Sequence, residues 1–207
     1  MMVPSSSEQA KIDRAHRATE PADRVVVASL AITLDGFVAD ERGGVSFLDA
    51  FNPDTLGFDR FLAGVAALVM GRRTFDQILS FGVWPYGSRP TTVLTTRPLV
   101  LPDSRAQPWF APARVAASAL APEELRASIE RSLGAPGDIW IVGGARVLAD
   151  FARADAIDRW ELTRVPVLLA RGVPLLECMP SGWSRKLTHT RSDVLPGGVV
   201  HSVYSRT

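Results

Sequence analysis

The chain has 207 residues, 46% of them hydrophobic and 22% charged, with 23 basic against 22 acidic side chains and a formal net charge of +1. One domain of that size buries a full core without disulfides or metal, and near-neutral charge gives no electrostatic case for a nucleic-acid or membrane partner. A single cysteine, Cys178, and three scattered histidines exclude a disulfide framework and a metal-ligand spacing, so no metal site is expected.

Residues 1–23 are polar, carry both charge signs and lack the apolar run of a signal peptide. They are expected to form a disordered tail. No later stretch is long enough to span a bilayer, so the expected location is the cytoplasm. From Arg24, RVVVASLAI is a β-branched run that predicts a strand buried on both faces, ending at the turn dipeptide Asp35-Gly36. FVADERGG reads as an irregular loop. Asn52-Pro53-Asp54 predicts a helix start, with Asn52 at the N-cap, Pro53 at the first position and Asp54 in the first turn. That helix would carry Leu56, Phe61, Leu62 and Val65 inward. ALVM, ended by Gly71, is the next strand, and a helix opens at once with RRTFDQIL. A Trp84-Pro85-Tyr86-Gly87 loop leads to the strand TTVLTT and the short strand RVAAS. Pro122 starts the helix EELRASIERSL, DIWIV is a buried strand broken by Gly143-Gly144, and ARVLADFARA is helical. From Asp158 onward WELTRVPVLL, WSRKLTHTR and GVVHSVYSR read as strands. The pattern predicts one α/β domain over 24–207: a mostly parallel sheet, helices on both faces and an antiparallel C-terminal edge.

Two strand-glycine-helix corners carry the chemistry. In Val69-Met70-Gly71-Arg72-Arg73-Thr74 the glycine lets an anion approach the backbone, and the helix start presents free N–H groups. The two arginines and the threonine hydroxyl add donors. As structure alone, Gly71 is a tight-turn residue and the arginines are solvated. The second corner, Ile141-Val142-Gly143-Gly144-Ala145-Arg146-Val147, places two adjacent glycines after a buried strand. It is neither a P-loop nor a G-x-G-x-x-G fingerprint, and no acid stands about 20 positions beyond either corner to grip a ribose hydroxyl. Arg72, Thr95, Thr96, Arg97 and Arg146 supply cations and hydroxyls instead. Such donors favour the extra phosphate of NADPH over NADH.

Taken in order, Ala31…Leu34-Asp35-Gly36, Met70-Gly71-Arg72-Arg73-Thr74-Phe75, Val93-Leu94-Thr95-Thr96-Arg97, Val142-Gly143-Gly144-Ala145-Arg146 and Glu161-Leu162-Thr163 resemble the dihydrofolate-reductase-like superfamily. The resemblance is strongest to the branch containing the carboxy-terminal reductase domain of riboflavin-biosynthesis deaminase-reductases and its stand-alone relatives. It covers about Arg24 to the C-terminus and implies a three-layer fold and NADPH as cofactor. By position it implies that Ala31 and Val38 flank the nicotinamide, and that Gly71, Arg72, Arg73 and Thr74 hold the adenosine-side phosphates. Leu94, Thr95 and Thr96 would line the adenine and extra-phosphate pocket. Gly143, Gly144, Ala145, Arg146, Val147 and Leu148 would cradle the pyrophosphate, and Thr163 would face the substrate. Two departures stand out. Val142 occupies a place where riboflavin-pathway reductases usually carry an acid, and Asp54 falls one residue off the acid that holds the pterin in dihydrofolate reductases.

Reduction of a C=N bond needs a hydride from the cofactor and a proton. Asp35, Asp54, Glu161 and Thr163 are the candidate donors or substrate anchors, and Glu161 shares a strand face with Thr163 because they are two apart. Bland roles compete: Asp35 can cap its turn, Asp54 can serve a helix start, and a strand glutamate is commonly solvated. Trp84 and Tyr86 either close over a planar heterocycle or pack their loop. Trp109, Trp140, Trp160, Trp183, His189 and His201 are read as structural. The function expected is an NADPH-dependent reductase of a small pterin- or pyrimidine-like substrate. Within the class the alternatives are the riboflavin-pathway pyrimidine reductase and a true dihydrofolate reductase; outside it, a nucleotide-binding module without turnover. The alternating C-terminal strands suit pairing across a two-fold axis, and the resemblance likewise implies a homodimer.

Overall fold

Among the described residues, ten strands and four α-helices follow the β-branched and amphipathic segments of the chain. The strands are β1 (Val26–Ile32), β2 (Phe37–Ala39), β3 (Val65–Gly71), β4 (Thr91–Leu94), β5 (Val115–Ser118), β6 (Asp138–Gly143), β7 (Arg159–Arg164), β8 (Val173–Pro174), β9 (Leu187–Leu195) and β10 (Val199–Arg206). The helices are α1 (Phe58–Ala63), α2 (Arg72–Ser80), α3 (Pro122–Ser132) and α4 (Ala145–Arg153). This computed structural model describes residues 24–207 apart from 55, 104, 111–113 and 135; the tail expected at 1–23 lies outside the described residues.

Eight strands form one sheet in the order β5-β4-β3-β6-β1-β7-β10-β9. It is parallel from β5 to β7, and β10 and β9 close it as an antiparallel edge. Helices cover both faces, as a three-layer dihydrofolate-reductase-like fold requires. On one face Leu125 and Ile129 of α3 and Leu148 and Phe151 of α4 pack against Val26, Val69 and Ile141. On the other, Leu62 of α1 and Phe75 and Ile78 of α2 pack against Val27, Leu68 and Met70. Phe75, Phe151 and Leu68 are fully buried, and each such side chain contributes about 1.5–3 kcal/mol relative to exposure. Arg126 pins α3 to the sheet, donating to Asp158 Oδ2 at 2.8 Å and to the Arg24 carbonyl at 2.7 Å.

Three local expectations are corrected. FVADERGG contains β2, which pairs antiparallel with β8 in a separate two-stranded sheet. Asn52-Pro53-Asp54 is a turn: Asn52 Oδ1 accepts the Asp54 N–H at 2.9 Å, a local bond that competes with helix formation. The helix begins only after Gly57, whose φ of 77° places it in the left-handed region, and Val65 already belongs to β3. Finally β7 stops at Arg164, short of the predicted WELTRVPVLL, because Pro166 has no N–H for the ladder. Among the described residues no helix is long and apolar enough to cross a membrane.

Candidate functional site

Gly71, Leu94 and Gly143 end three neighbouring strands: Gly71 is level with Leu94, and Met70 with Gly143. The two glycine corners therefore stand side by side. A Cβ added at Gly71 would lie 3.1 Å from Val147 Cγ2 and 3.8 Å from the Gly144 nitrogen; one added at Gly144 would lie 3.2 Å from Thr74 Oγ1. The Gly143–Gly144 peptide is cis. The N-caps of α2 and α4 are Gly71 and Gly144, both extended, and no side chain caps either helix. Two uncapped helix starts, each with its partial positive charge, thus open at one place, and this is an arrangement that accepts anions.

A cleft of about 2380 Å³ runs from these corners across the sheet. Single small-ligand pockets occupy roughly 300–1000 Å³, so this cleft has room for a dinucleotide and a second molecule. At the corner end it is lined by Arg73, Arg97 and Arg146, which are exposed and make no ion pair among the described residues. Arg72 also lines it but is committed elsewhere, with Nε donating to Asp76 Oδ1 at 2.7 Å and Nη1 to the Pro98 carbonyl at 2.8 Å. Thr95 Oγ1 accepts the Arg97 N–H at 3.0 Å and so shapes the turn after β4, with Leu94 and Thr96 lining the cleft beside it. Ala31, Val38 and Val142 line its middle.

The far end is built on one sheet face by strand register. Ala31 of β1 is opposite Thr163 of β7, Thr163 is opposite His201 of β10, and His201 is opposite Asp193 of β9. Thr163 Oγ1 and His201 Nδ1 are 3.0 Å apart, and His201 Nε2 is 3.8 Å from Glu161 Oε2. Glu161 Oε1 accepts from Arg159 Nε at 2.7 Å, while Arg159 Nη2 donates to Asp138 Oδ2 at 2.5 Å. Burial disfavours the Arg159 charge, but Asp138 and Glu161 outweigh it and hold its pKa above the ordinary value. Tyr86 lies on the cleft floor against Trp140, and burial pushes its hydroxyl pKa up.

Most of the expected residues meet at this cleft, including Asp54, Glu161 and Thr163. Three are placed elsewhere. Leu148 is fully buried in the core under α4, because it sits on the helix side turned to the sheet. Trp84 packs against Phe75, Tyr86 and Phe110, and its Nε1 donates to the Gly87 carbonyl at 3.0 Å. Asp35 is outside the cleft lining and holds the loop after β7, accepting the N–H groups of Leu169 and Ala170. Conversely Trp140, His201, Asp138 and Arg159 line the cleft and were not expected there. For β6 the signal was available: Asp138 and Trp140 share the parity of Val142. His201 depends on pairing between β7 and β10, which no local pattern reveals.

The model of the RibD C-terminal domain family matches residues 24–200. The chain belongs to that family. This RibD C-terminal domain is 29% identical over 171 residues to the uncharacterized protein YwjB of Bacillus subtilis (strain 168), covering 82% of this chain and 92% of that protein. Its fold is similar to that of a candidate riboflavin biosynthesis protein from Shewanella sp. PV-4, with a TM-score of 0.74, 29% identity and coverage of 88% and 99% of the two chains. Dihydrofolate reductase from Enterococcus faecalis, solved with NADP(H), shares the fold at a TM-score of 0.60 and 21% identity, covering 88% of this chain and 96% of that one.

Proposed function

We propose that the chain is an NADPH-dependent reductase of a small pterin- or pyrimidine-like heterocycle. The observation that carries this reading is the meeting of two uncapped glycine corners with three arginines, free of ion pairs among the described residues, at one end of a cleft large enough for two ligands. The residues fit the cofactor: Gly71 and Gly144 let the two uncapped helix starts stand against each other, bringing their free N–H groups together for phosphate, and Arg73, Thr74 and Arg146 supply donors to it. Arg97, with Thr95 and Thr96, recognises the extra phosphate that distinguishes NADPH from NADH. Ala31 and Val38 flank the nicotinamide, and Thr163, paired with Ala31 on the neighbouring strand, and Glu161 meet the substrate. When bound, NADPH supplies the hydride for a C=N bond.

Fluorescence titration of the purified chain with NADPH and NADH tests the reading. NADPH binds more tightly, and Arg97→Ala weakens NADPH at least about tenfold, the scale of one charge-assisted hydrogen bond of roughly 1.5–3 kcal/mol, while leaving NADH nearly unchanged. Equal affinity for the two nucleotides, or no binding of either, overturns it.

A further inference from the structure

Thr163 lines the cleft, yet it is only 9% exposed, and among the described residues its Oγ1 has a single hydrogen-bond partner, His201 Nδ1 at 3.0 Å. The other ring nitrogen, Nε2, stands 3.8 Å from Glu161 Oε2, and the His201 and Glu161 side chains are 15% and 13% exposed. On the outer side Asp193 of the edge strand β9 is opposite His201, 46% exposed and paired with Arg191 at 2.8 Å. The imidazole therefore stands between the solvent edge of the sheet and a buried hydroxyl that faces the cleft. An imidazole gives and takes protons near neutrality, and what each nitrogen faces decides which one carries the hydrogen. In the neutral ring the Glu161 carboxylate favours hydrogen on Nε2, so Nδ1 accepts from the Thr163 hydroxyl. In the imidazolium both nitrogens carry hydrogen. Nδ1 then donates to Thr163 Oγ1, and the hydroxyl hydrogen, left without an acceptor among the described residues, turns to the cleft. Protonation of His201 thus makes Thr163 an available donor.

We infer that His201 is the proton source of the reduction and acts through Thr163. The inference rests on the proposed reductase reading and adds the proton to it. Hydride from NADPH adds to the carbon of a C=N bond, and the π electron pair moves to nitrogen. That nitrogen takes the Thr163 hydroxyl hydrogen while Oγ1 takes the hydrogen of Nδ1. The products are NADP+, the amine and neutral His201, which solvent reprotonates from the β9 edge. Other acids serve less well: burial pushes the Tyr86 hydroxyl pKa up, and Asp35 lies outside the cleft lining.

NADPH oxidation by the full chain tests it, with dihydrofolate as the pterin probe and a ribosylaminopyrimidine phosphate as the pyrimidine probe, from about pH 5 to pH 9. Because the imidazolium is the donor, kcat is highest below the ionisation and falls as pH rises through it. Glu161 with Arg159 on β7 and Asp193 with Arg191 on β9 flank the ring, and Asp49, Asp54, Glu177 and Cys178 also line the cleft. Comparison with His201→Gln isolates the ring from all of these. That variant lowers kcat about 100-fold or more, the scale of a lost general acid. It also removes the ionisation from the profile, with KM changed less than about threefold. Thr163→Val does the same, and Thr163→Ser restores both rate and profile. Nitrogen-15 spectra of the unmodified chain need no variant to fold, and neutral His201 carries its hydrogen on Nε2. An unchanged kcat or a retained ionisation in His201→Gln, or a neutral ring with its hydrogen on Nδ1, overturns the inference and leaves the reductase reading standing. Failure of NADPH to bind, or binding without oxidation on either probe, is a different result, and it removes the reductase reading and the proton source with it.

Discussion

Asp35 accepts hydrogen bonds from the Thr33 hydroxyl at 2.6 Å and from the N–H groups of Leu169 and Ala170 at 3.1 and 2.8 Å. The bond from Thr33 is the largest influence holding its pKa below the ordinary carboxylate value, and the two backbone donors add to it. An acid so stabilised in its charged form is a poor proton donor near neutrality, and its role is to fix the loop between β7 and β8 against the turn after β1. The sign of the pH effect follows. A carboxylate whose pKa is depressed by folding stabilises the fold fully above its unfolded value, about 3.8, and loses that contribution as pH falls through the lower folded value. Urea unfolding of the unmodified chain and of Asp35→Asn should therefore differ at neutral pH and converge below about pH 3.8. A gap that persists undiminished in acid would show that the charge is not what the loop uses.

At the scale of elements, the pairing of β2 with β8 brings Val38 to the cleft. Gly172 makes that pairing possible, since a Cβ there would run into the Ala39 carbonyl oxygen and stand 3.2 Å from Phe37 Cγ. Gly172→Ala should destabilise the chain by about 1–3 kcal/mol, as overpacking does, and weaken NADPH binding through displacement of Val38. Denaturant midpoints and the nucleotide titration would check the two effects, and unchanged values in both would mean the small sheet yields without consequence. This device was not legible in FVADERGG, whose charges and glycines hide a three-residue strand that exists only because a distant segment pairs with it. The long elements were legible because their apolar periodicity is local: β1, β3 and β6, and the helices at Arg72, Pro122 and Ala145, begin at or within two residues of where the pattern puts them. Turn chemistry misled at Asn52, where one side-chain hydrogen bond to the backbone matches a helix cap or a turn equally well in sequence. The corner end of the cleft was readable, since its two glycine breaks are local. The far end was not, because Glu161, Thr163 and His201 meet across strands whose register is set by the whole sheet.

Among the described residues, the cleft joins three unmatched arginines at the parallel strand ends to ion-paired arginines on the strands near the antiparallel edge. The chain's net charge of +1 conceals this division. Exposed arginines act through solvent and are screened by salt, whereas partly buried pairs are screened much less. Raising ionic strength from about 0.15 M to about 1 M shortens the Debye length from roughly 8 to roughly 3 Å. NADPH affinity should fall several-fold over that range, and NADH affinity should fall less, because NADH lacks the phosphate assigned to Arg97. Titrations of the two nucleotides at both salt concentrations test this. Parallel salt slopes for NADPH and NADH would place the extra phosphate away from Arg97.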